Sequence, residues 1–416
     1  MSQDQPLVRP FAGLRPAAGR AADVVAPPYD VLNEAEARAL ADGRPWSFLH
    51  ISRAEIDLPR GIDPHDEAVY TKASENLSHM VSEGVLARDA TPCYYVYRLK
   101  MGSHVQTGIV GAGSIAAYDE NRIRRHELTR PDKEDDRVRN IEALGAQTGP
   151  VMVTHRHDAR VDAVINRTAA QEPASHVIGK DDVEHTVWVI NSIDEITELN
   201  AAFDAMDAIY IADGHHRSAS ASRVAANRRA ANSSPTGVES YEYFLIVSFP
   251  DDEVQILDYN RVVRDLNGLS SKEFLSRLGK AFSVIPHDDV AKPNTTRHFG
   301  MYMANQWYGL KPKEPVLADD PVATLDISVL TDLLLAPILG IGDPRLDKRI
   351  EFIGGIRGMK ELQRRVDSGE MAVAFAIYPT SLADLMAVAD ADQVMPPKST
   401  WFEPKLADGL ITLVLD

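Results

Sequence analysis

Ala208-Ile209-Tyr210-Ile211-Ala212-Asp213-Gly214-His215-His216-Arg217 reads as a strand that runs into a tight turn and opens a helix. The first five residues are apolar and suit a strand, Asp213-Gly214 is turn chemistry, and Ser218 to Ala231 is rich in the helix formers Ala and Arg. Upstream, Ser192-Ile193-Asp194-Glu195 matches a capping box, with Ser192 as cap and Glu195 returning its carboxylate, so a helix is predicted to about Met206. Helix, strand, tight turn and helix in that order predict an α/β chain, mixed α+β in type, with mixed sheets flanked by helices.

Working outward, Val24 to Leu32 is a short apolar strand that meets Pro27 and Pro28 and must turn, with a helix expected from near Asn33. A helix over about 66–83 ends at Gly84, and Tyr94 to Lys100 and His104 to Ile115 form a hairpin across Met101-Gly102-Ser103. Strand Val151 to Val153 follows a densely charged segment. A second hairpin is expected from Tyr241 to Phe249 and Val254 to Tyr259, across Pro250-Asp251-Asp252-Glu253. Beyond it come a helix over 272–282, a strand over 298–303, a helix from Ser328, a strand over 372–378 and a helix over 382–390. The 416 residues exceed one ordinary core. Three segments are expected: 1–100, an N-terminal α/β part; 101–265, the core with the turn; and 266–416, whose proline-rich tail returns to the site.

Apolar residues make up 44% and charged residues 25%, the composition of a folding globular chain. A net charge of −17 argues against sequence-independent binding to nucleic acid or to an anionic membrane. Leu333 to Ile341, cut by Pro337, is too short to span a bilayer. The first thirty residues lack the apolar stretch of a signal peptide, and the single cysteine, Cys93, fits a reducing compartment, so a cytoplasmic location is expected.

Three segments carry candidate chemistry. At the turn, a helix N-terminus offers unpaired amides and the positive end of its dipole, and Gly214 permits close approach of an anion. His215, His216 and Arg217 add donors there, and Asp213 could hold Mg²⁺ or orient a hydroxyl. The plainer reading has Asp213 capping the helix and the histidines in solvent. The charged run Arg122 to Arg137 supplies a proton acceptor in His126 or Glu127, metal-capable carboxylates in Asp135 and Asp136, and anion-binding arginines. Thr129 and Pro131 interrupt it, which does not suit one regular helix. The tail Met395 to Leu406 offers Lys398, Ser399, Thr400 and Lys405 as phosphate ligands between stiffening prolines. Gly111-Ala112-Gly113-Ser114-Ile115-Ala116 fits a dinucleotide fingerprint but follows a hairpin strand, and His155-Arg156-His157-Asp158 lacks a third metal ligand; both are set aside.

Together Gly13-Leu14-Arg15-Pro16, Ala26-Pro27-Pro28-Tyr29-Asp30-Val31, His126-Glu127 with Thr129, Asp136-Arg137, Ala212 to Arg217 and Met395 to Leu406 resemble a bacterial and archaeal family known as domain of unknown function 1015. The sequence departs from it at Tyr259-Asn260-Arg261, where the family commonly has Thr-His-Arg. Asp213-Gly214-His215-His216-Arg217 is similar to the phosphate-binding turn of a superfamily that includes ParB-type CTPases, sulfiredoxins and archaeal free-serine kinases, which implies a ParB/sulfiredoxin-like phosphate-binding core. The resemblance implies that Asp213 and Arg217 hold phosphate or metal, with Asp136 a second metal ligand, and that Glu127 is the base, His126 being the alternative. Arg15, Tyr29, Asp30, Arg137 and Arg261 are then expected to contact substrate. The implied activity is phosphoryl transfer to or from a small hydroxylated metabolite, serine and phosphoserine the best guess, with ATP or ADP as co-substrate and Mg²⁺ as cofactor. Hydrolysis of the same ester, and nucleotide sensing without turnover, are the alternatives. The partner expected is a small phosphate ester or nucleotide; the oligomeric state is open, a homodimer included.

Overall fold

Strand Ile209–Asp213 lies near one edge of a nine-stranded mixed sheet. From that edge the order is Ile123–Arg124, Ile209–Asp213, Val151–His155, Tyr243–Pro250, His104–Ser114, Tyr94–Met101, Glu184–Ile190 and Ser175–Ile178, with Val8–Arg9 also paired to His104–Ser114. Ile209–Asp213 is parallel to Ile123–Arg124, and Tyr243–Pro250 to Val151–His155; every other pairing is antiparallel. The computed structural model describes residues 5–179, 181–316 and 319–416. It divides into two compact units, one running to Val254 and including Pro404–Asp416, the other Gln255–Glu403.

In the first unit one core lies under the sheet, where Ile209 and Ile211 pack with Val151, Val153, Phe203 and Phe244. A second core is built by helices Glu34–Ala41 and Glu67–Ser82 around Phe48, Leu49 and Leu77. Asn33 and Glu36 complete the capping box that starts the first of these helices. The hairpin Tyr94–Met101/His104–Ser114 forms as expected. The capping box expected at Ser192 does not: the helix runs Ile193–Asp204, Ser192 caps no amide with its side chain, and Glu195 faces Arg167 at 3.6 Å. The charged run also differs from expectation. Pro131, which needs no amide partner at the first helical position, starts a regular helix Pro131–Leu144. This helix lies against His215–Ala231, with Ser220 donating to the Glu134 carbonyl and Arg223 paired with Asp135 at 2.7 Å.

The second unit is a six-stranded antiparallel sheet in the order Phe282–His287, Gln306–Pro312, Phe299–Met303, Val373–Ile377, Tyr259–Val263 and Ile350–Gly354. The second hairpin expected from sequence is therefore not made. Tyr243–Pro250 stays in the first sheet, Ile256–Leu257 pairs with Trp401–Phe402, and Tyr259–Val263 enters the second sheet. Among the described residues no helix is long and apolar enough to cross a membrane.

Gly111, in the discarded dinucleotide match, sits inside strand His104–Ser114, where an added Cβ would lie 2.6 Å from Val8 Cγ1 and 2.9 Å from the Tyr94 ring. The glycine serves strand packing. Gly111→Ala is expected to lower unfolding free energy by about 1–3 kcal/mol through overpacking, measured by urea denaturation; an unchanged midpoint would refute it.

Candidate functional site

Tyr210 pairs with Thr154 and Ile211 with Val153, but Asp213 pairs with Met152, so Ala212 is an extra residue at the end of the strand. Such a bulge re-aims the side chain that follows. Gly214 then adopts φ +102° and ψ 27°, and a Cβ there would stand 3.3 Å from the Val151 Cα, so both conformation and space call for glycine. Helix His215–Ala231 begins at once, and no side chain caps it. The positive end of its dipole lies at this turn.

Two histidine rings meet edge to face behind this turn, His126 and His215, their centroids 4.5 Å apart. The His126 backbone N–H donates to His215 Nε2 at 3.4 Å, which leaves Nδ1 as the protonated nitrogen of a neutral ring, 3.8 Å from Glu127 Oε2. Burial, reinforced by His126, pushes the His215 pKa well down. Burial pushes His126 down to about 4, against weaker opposite effects of the Ile211 carbonyl and Asp213. His126 is a neutral, 2% exposed packing group, whereas 41% of the Glu127 side chain reaches solvent. His216 Nε2 accepts the Arg130 N–H at 3.1 Å. Through Nε2 both histidines of the turn accept backbone N–H groups of the 126–130 segment.

The Arg217 side chain is only 11% exposed. It donates to the Pro150 carbonyl, and Nη2 lies 3.4 Å from Asp30. Burial works against its charge, and Asp30 and Asp213 more than reverse that, raising its pKa. The Tyr29 ring lies between two guanidiniums, with its centroid 6.0 Å from Arg217 Cζ and 4.1 Å from Arg137 Cζ. Burial raises the Tyr29 pKa, opposed chiefly by Arg137. Arg137 pairs with Asp136 at 2.7 Å, and Asp136 also accepts from Tyr70 Oη and contacts His65 Nδ1.

Asp408 was missed by the sequence reading. It is 1% exposed; Oδ2 accepts the Tyr29 N–H at 3.2 Å, and Oδ1 has no partner. Burial pushes its pKa up to about 7, with Asp30 adding to the rise and Arg217 and Arg137 opposing it. The available signal was a lone carboxylate in the otherwise apolar stretch Leu406 to Leu415.

Lys405 Nζ lies 3.3 Å from Asp213 Oδ2. Burial alone would raise Asp213, but Lys405 and Arg217 outweigh it and hold the carboxyl well below the usual range. The donors do not fit a resident Mg²⁺: Asp213 is paired with a lysine, and Asp136 is engaged by Tyr70, His65 and Arg137. Among the described residues no group of three His, Cys, Asp or Glu side chains has metal-binding geometry.

The remaining expected ligands lie elsewhere in the chain. Arg15 is taken by Asp89 at 2.7 Å. Lys398, Ser399, Thr400 and Arg261 belong to the second unit. Arg261, 1% exposed, donates there to the carbonyls of Tyr259, Pro397 and Lys398, and the Lys398 backbone is left-handed at φ +60°. Ser399 Oγ donates to the Pro396 carbonyl at 2.6 Å. Arg261 thus holds the backbone of the proline-rich segment.

The fold defines a mixed α/β protein in which strand Ile209–Asp213 runs through Gly214 directly into helix His215–Ala231. The family model for proteins of unknown function DUF1015 matches residues 8–328, and the chain belongs to that family. No match is found among curated proteins. Of solved structures, a free serine kinase in complex with AMP is 13% identical, with a TM-score of 0.35, and the alignment covers 73% of this chain and 92% of that one. A conserved hypothetical protein from Pyrococcus furiosus is 12% identical, TM-score 0.32, over 72% and 94%. SbnI from Staphylococcus aureus, truncated at its C-terminus, is 12% identical, TM-score 0.37, over 71% and 84%. Likenesses at these scores carry no residue roles across.

Asp408 yields a pH prediction. Its folded pKa of about 7 exceeds the ordinary 3.8, so the native state binds the proton more tightly and this group's contribution to stability falls as pH rises through that window. Asp408→Asn is expected to stabilise the protein at pH 8, by at most about 4 kcal/mol, with the gain shrinking toward pH 4. Thermal unfolding of both proteins across this range checks it, and a gain independent of pH would refute it.

Proposed function

We propose that the protein is a phosphotransferase acting on a small hydroxylated metabolite, with serine and phosphoserine the leading pair and ATP or ADP as the nucleotide. The carrying observation is the turn itself. An uncapped helix N-terminus at Gly214 stands beside two cations, Arg217 and Lys405, and Glu127 lies next to His215. Amides and fixed cations of this kind neutralise charge on a transferring phosphoryl group. The motif likeness to free-serine kinases supports the same reading.

In this reading Glu127 takes the proton of the substrate hydroxyl while the hydroxyl oxygen bonds to the terminal phosphorus of the nucleotide. The bond from that phosphorus to its bridging oxygen breaks, and the shortened nucleotide leaves with the electron pair. His215 positions Glu127, and buried His126 fixes His215. No step is assigned to Mg²⁺, because the carboxylates that would hold it are engaged.

Phosphorus NMR of the full chain with serine or phosphoserine, with and without ATP, ADP and Mg²⁺, tests the proposal. Phosphoryl movement that requires nucleotide is expected. Release of inorganic phosphate without nucleotide would instead identify a hydrolase, and tight nucleotide binding without turnover would identify a sensor. Glu127→Gln is expected to lower kcat about 100-fold with KM little changed. Asp213→Asn and Arg217→Lys are each expected to cost about 100-fold in kcat/KM.

A further inference from the structure

A cavity of about 370 Å³ lies in the first unit, and Lys405 is one of its walls. The same lysine reaches Asp213 at 3.3 Å, so one side chain joins the cavity to the turn. Val25, Pro27 and Val177 supply flat apolar surface, and the volume falls in the range of small-molecule sites. Its polar walls, Arg44, Asp181, His185 and Lys405, are as prominent as its apolar ones. Tyr97 Oη accepts the Ala407 N–H at 3.2 Å and lies 2.7 Å from His185 Nδ1. With the phenol proton given to Nδ1, His185 presents Nε2–H as a donor. Burial, opposed by Asp181, pushes the His185 pKa down to about 4, so the ring stays neutral. His185 Nε2 and Asp181 Oδ1 converge near Gly179, both within 3.4 Å of where a Cβ on that residue would sit. A neutral donor lies beside a carboxylate whose Oδ1 also accepts the Val183 N–H at 3.3 Å and keeps further lone pairs, and together they can meet the hydrogen-bonding edge of a nucleobase.

We propose that this cavity binds the base of a nucleotide, with Lys405 at the junction between base site and phosphate site. The inference rests on the phosphate reading of the turn and adds to it a separate place for the nucleoside. The Ala26–Asp408 bridge forms the partition: Ala26 and Pro27 face the cavity, while Tyr29, Asp30 and Asp408 lie toward Arg217.

Calorimetric titration of the full chain with ATP, GTP, UTP and pyrophosphate distinguishes the two claims. Two exposed wall residues, Ala22 and Ile178, allow the cavity to be filled with little risk to the core. Ala22→Trp and Ile178→Trp are expected to weaken ATP and GTP at least about 10-fold while leaving pyrophosphate within about 2-fold, a loss of about 1.4 kcal/mol confined to the base. Arg217→Lys should weaken nucleotides and pyrophosphate alike. If both tryptophan variants bind nucleotides as the wild type does, or if the wild type binds pyrophosphate as tightly as ATP, the base site is refuted and the phosphate reading stands. If the wild type binds neither nucleotide nor pyrophosphate, both fall.

Discussion

Arg217 is the charge around which the first unit's site is organised. A guanidinium that is 11% exposed has lost most of its water, and such a cation is tolerable only where oxygens surround it. Two distant parts of the chain and the strand just before the helix supply them. Asp30 comes from the N-terminal turn, the Pro150 carbonyl from the loop before the third strand from the edge, and Asp213 from the end of its own strand. Asp408, from the C-terminal segment, adds a further carboxyl whose proton depends on this charge. One cation thereby ties together segments almost 400 positions apart in sequence.

The same constraint explains the unequal behaviour of the carboxylates. Asp213 is held ionised because Lys405 and Arg217 act on it together, whereas Asp408 meets burial and Asp30 with less compensation and is raised. Neighbouring carboxyls that share one cation are thus shifted in opposite directions. The histidines follow the opposite logic. Buried and neutral, His126 and His215 pass no charge to the turn; they set the position of Glu127 by packing and by one backbone hydrogen bond. In the second unit Arg261 is likewise buried, but carbonyls alone receive it, and it serves the backbone of the proline-rich segment.

Much of the fold was legible from local chemistry. Helix, strand, turn and helix around Gly214 follow from residue preferences over short stretches, and the first hairpin follows from two apolar runs across Met101-Gly102-Ser103. The failures share one cause. The residues after Pro250 alternate like a hairpin arm, yet Tyr259–Val263 finds a better partner in Val373–Ile377, over a hundred positions away. Pro131 hid the helix it starts, because a proline inside a charged run looks alike in sequence whether it interrupts a helix or opens one, and the partners of that helix's carboxylates, Arg223 and Arg228, lie on a neighbouring helix that no local window contains.

The sequence by itself determined the type of each element near the turn, the requirement for glycine at residue 214 and the collection of phosphate-competent side chains, because these depend on backbone preference and functional-group chemistry within a few residues. Only the tertiary structure decided which of those side chains share a site. It set Asp408 beside Tyr29, gave Lys405 to Asp213, buried His126 and left Glu127 half-buried beside His215. The reason is that burial and charge pairing depend on distance through space, and a residue's separation along the chain carries almost no information about that distance once it exceeds a single supersecondary unit.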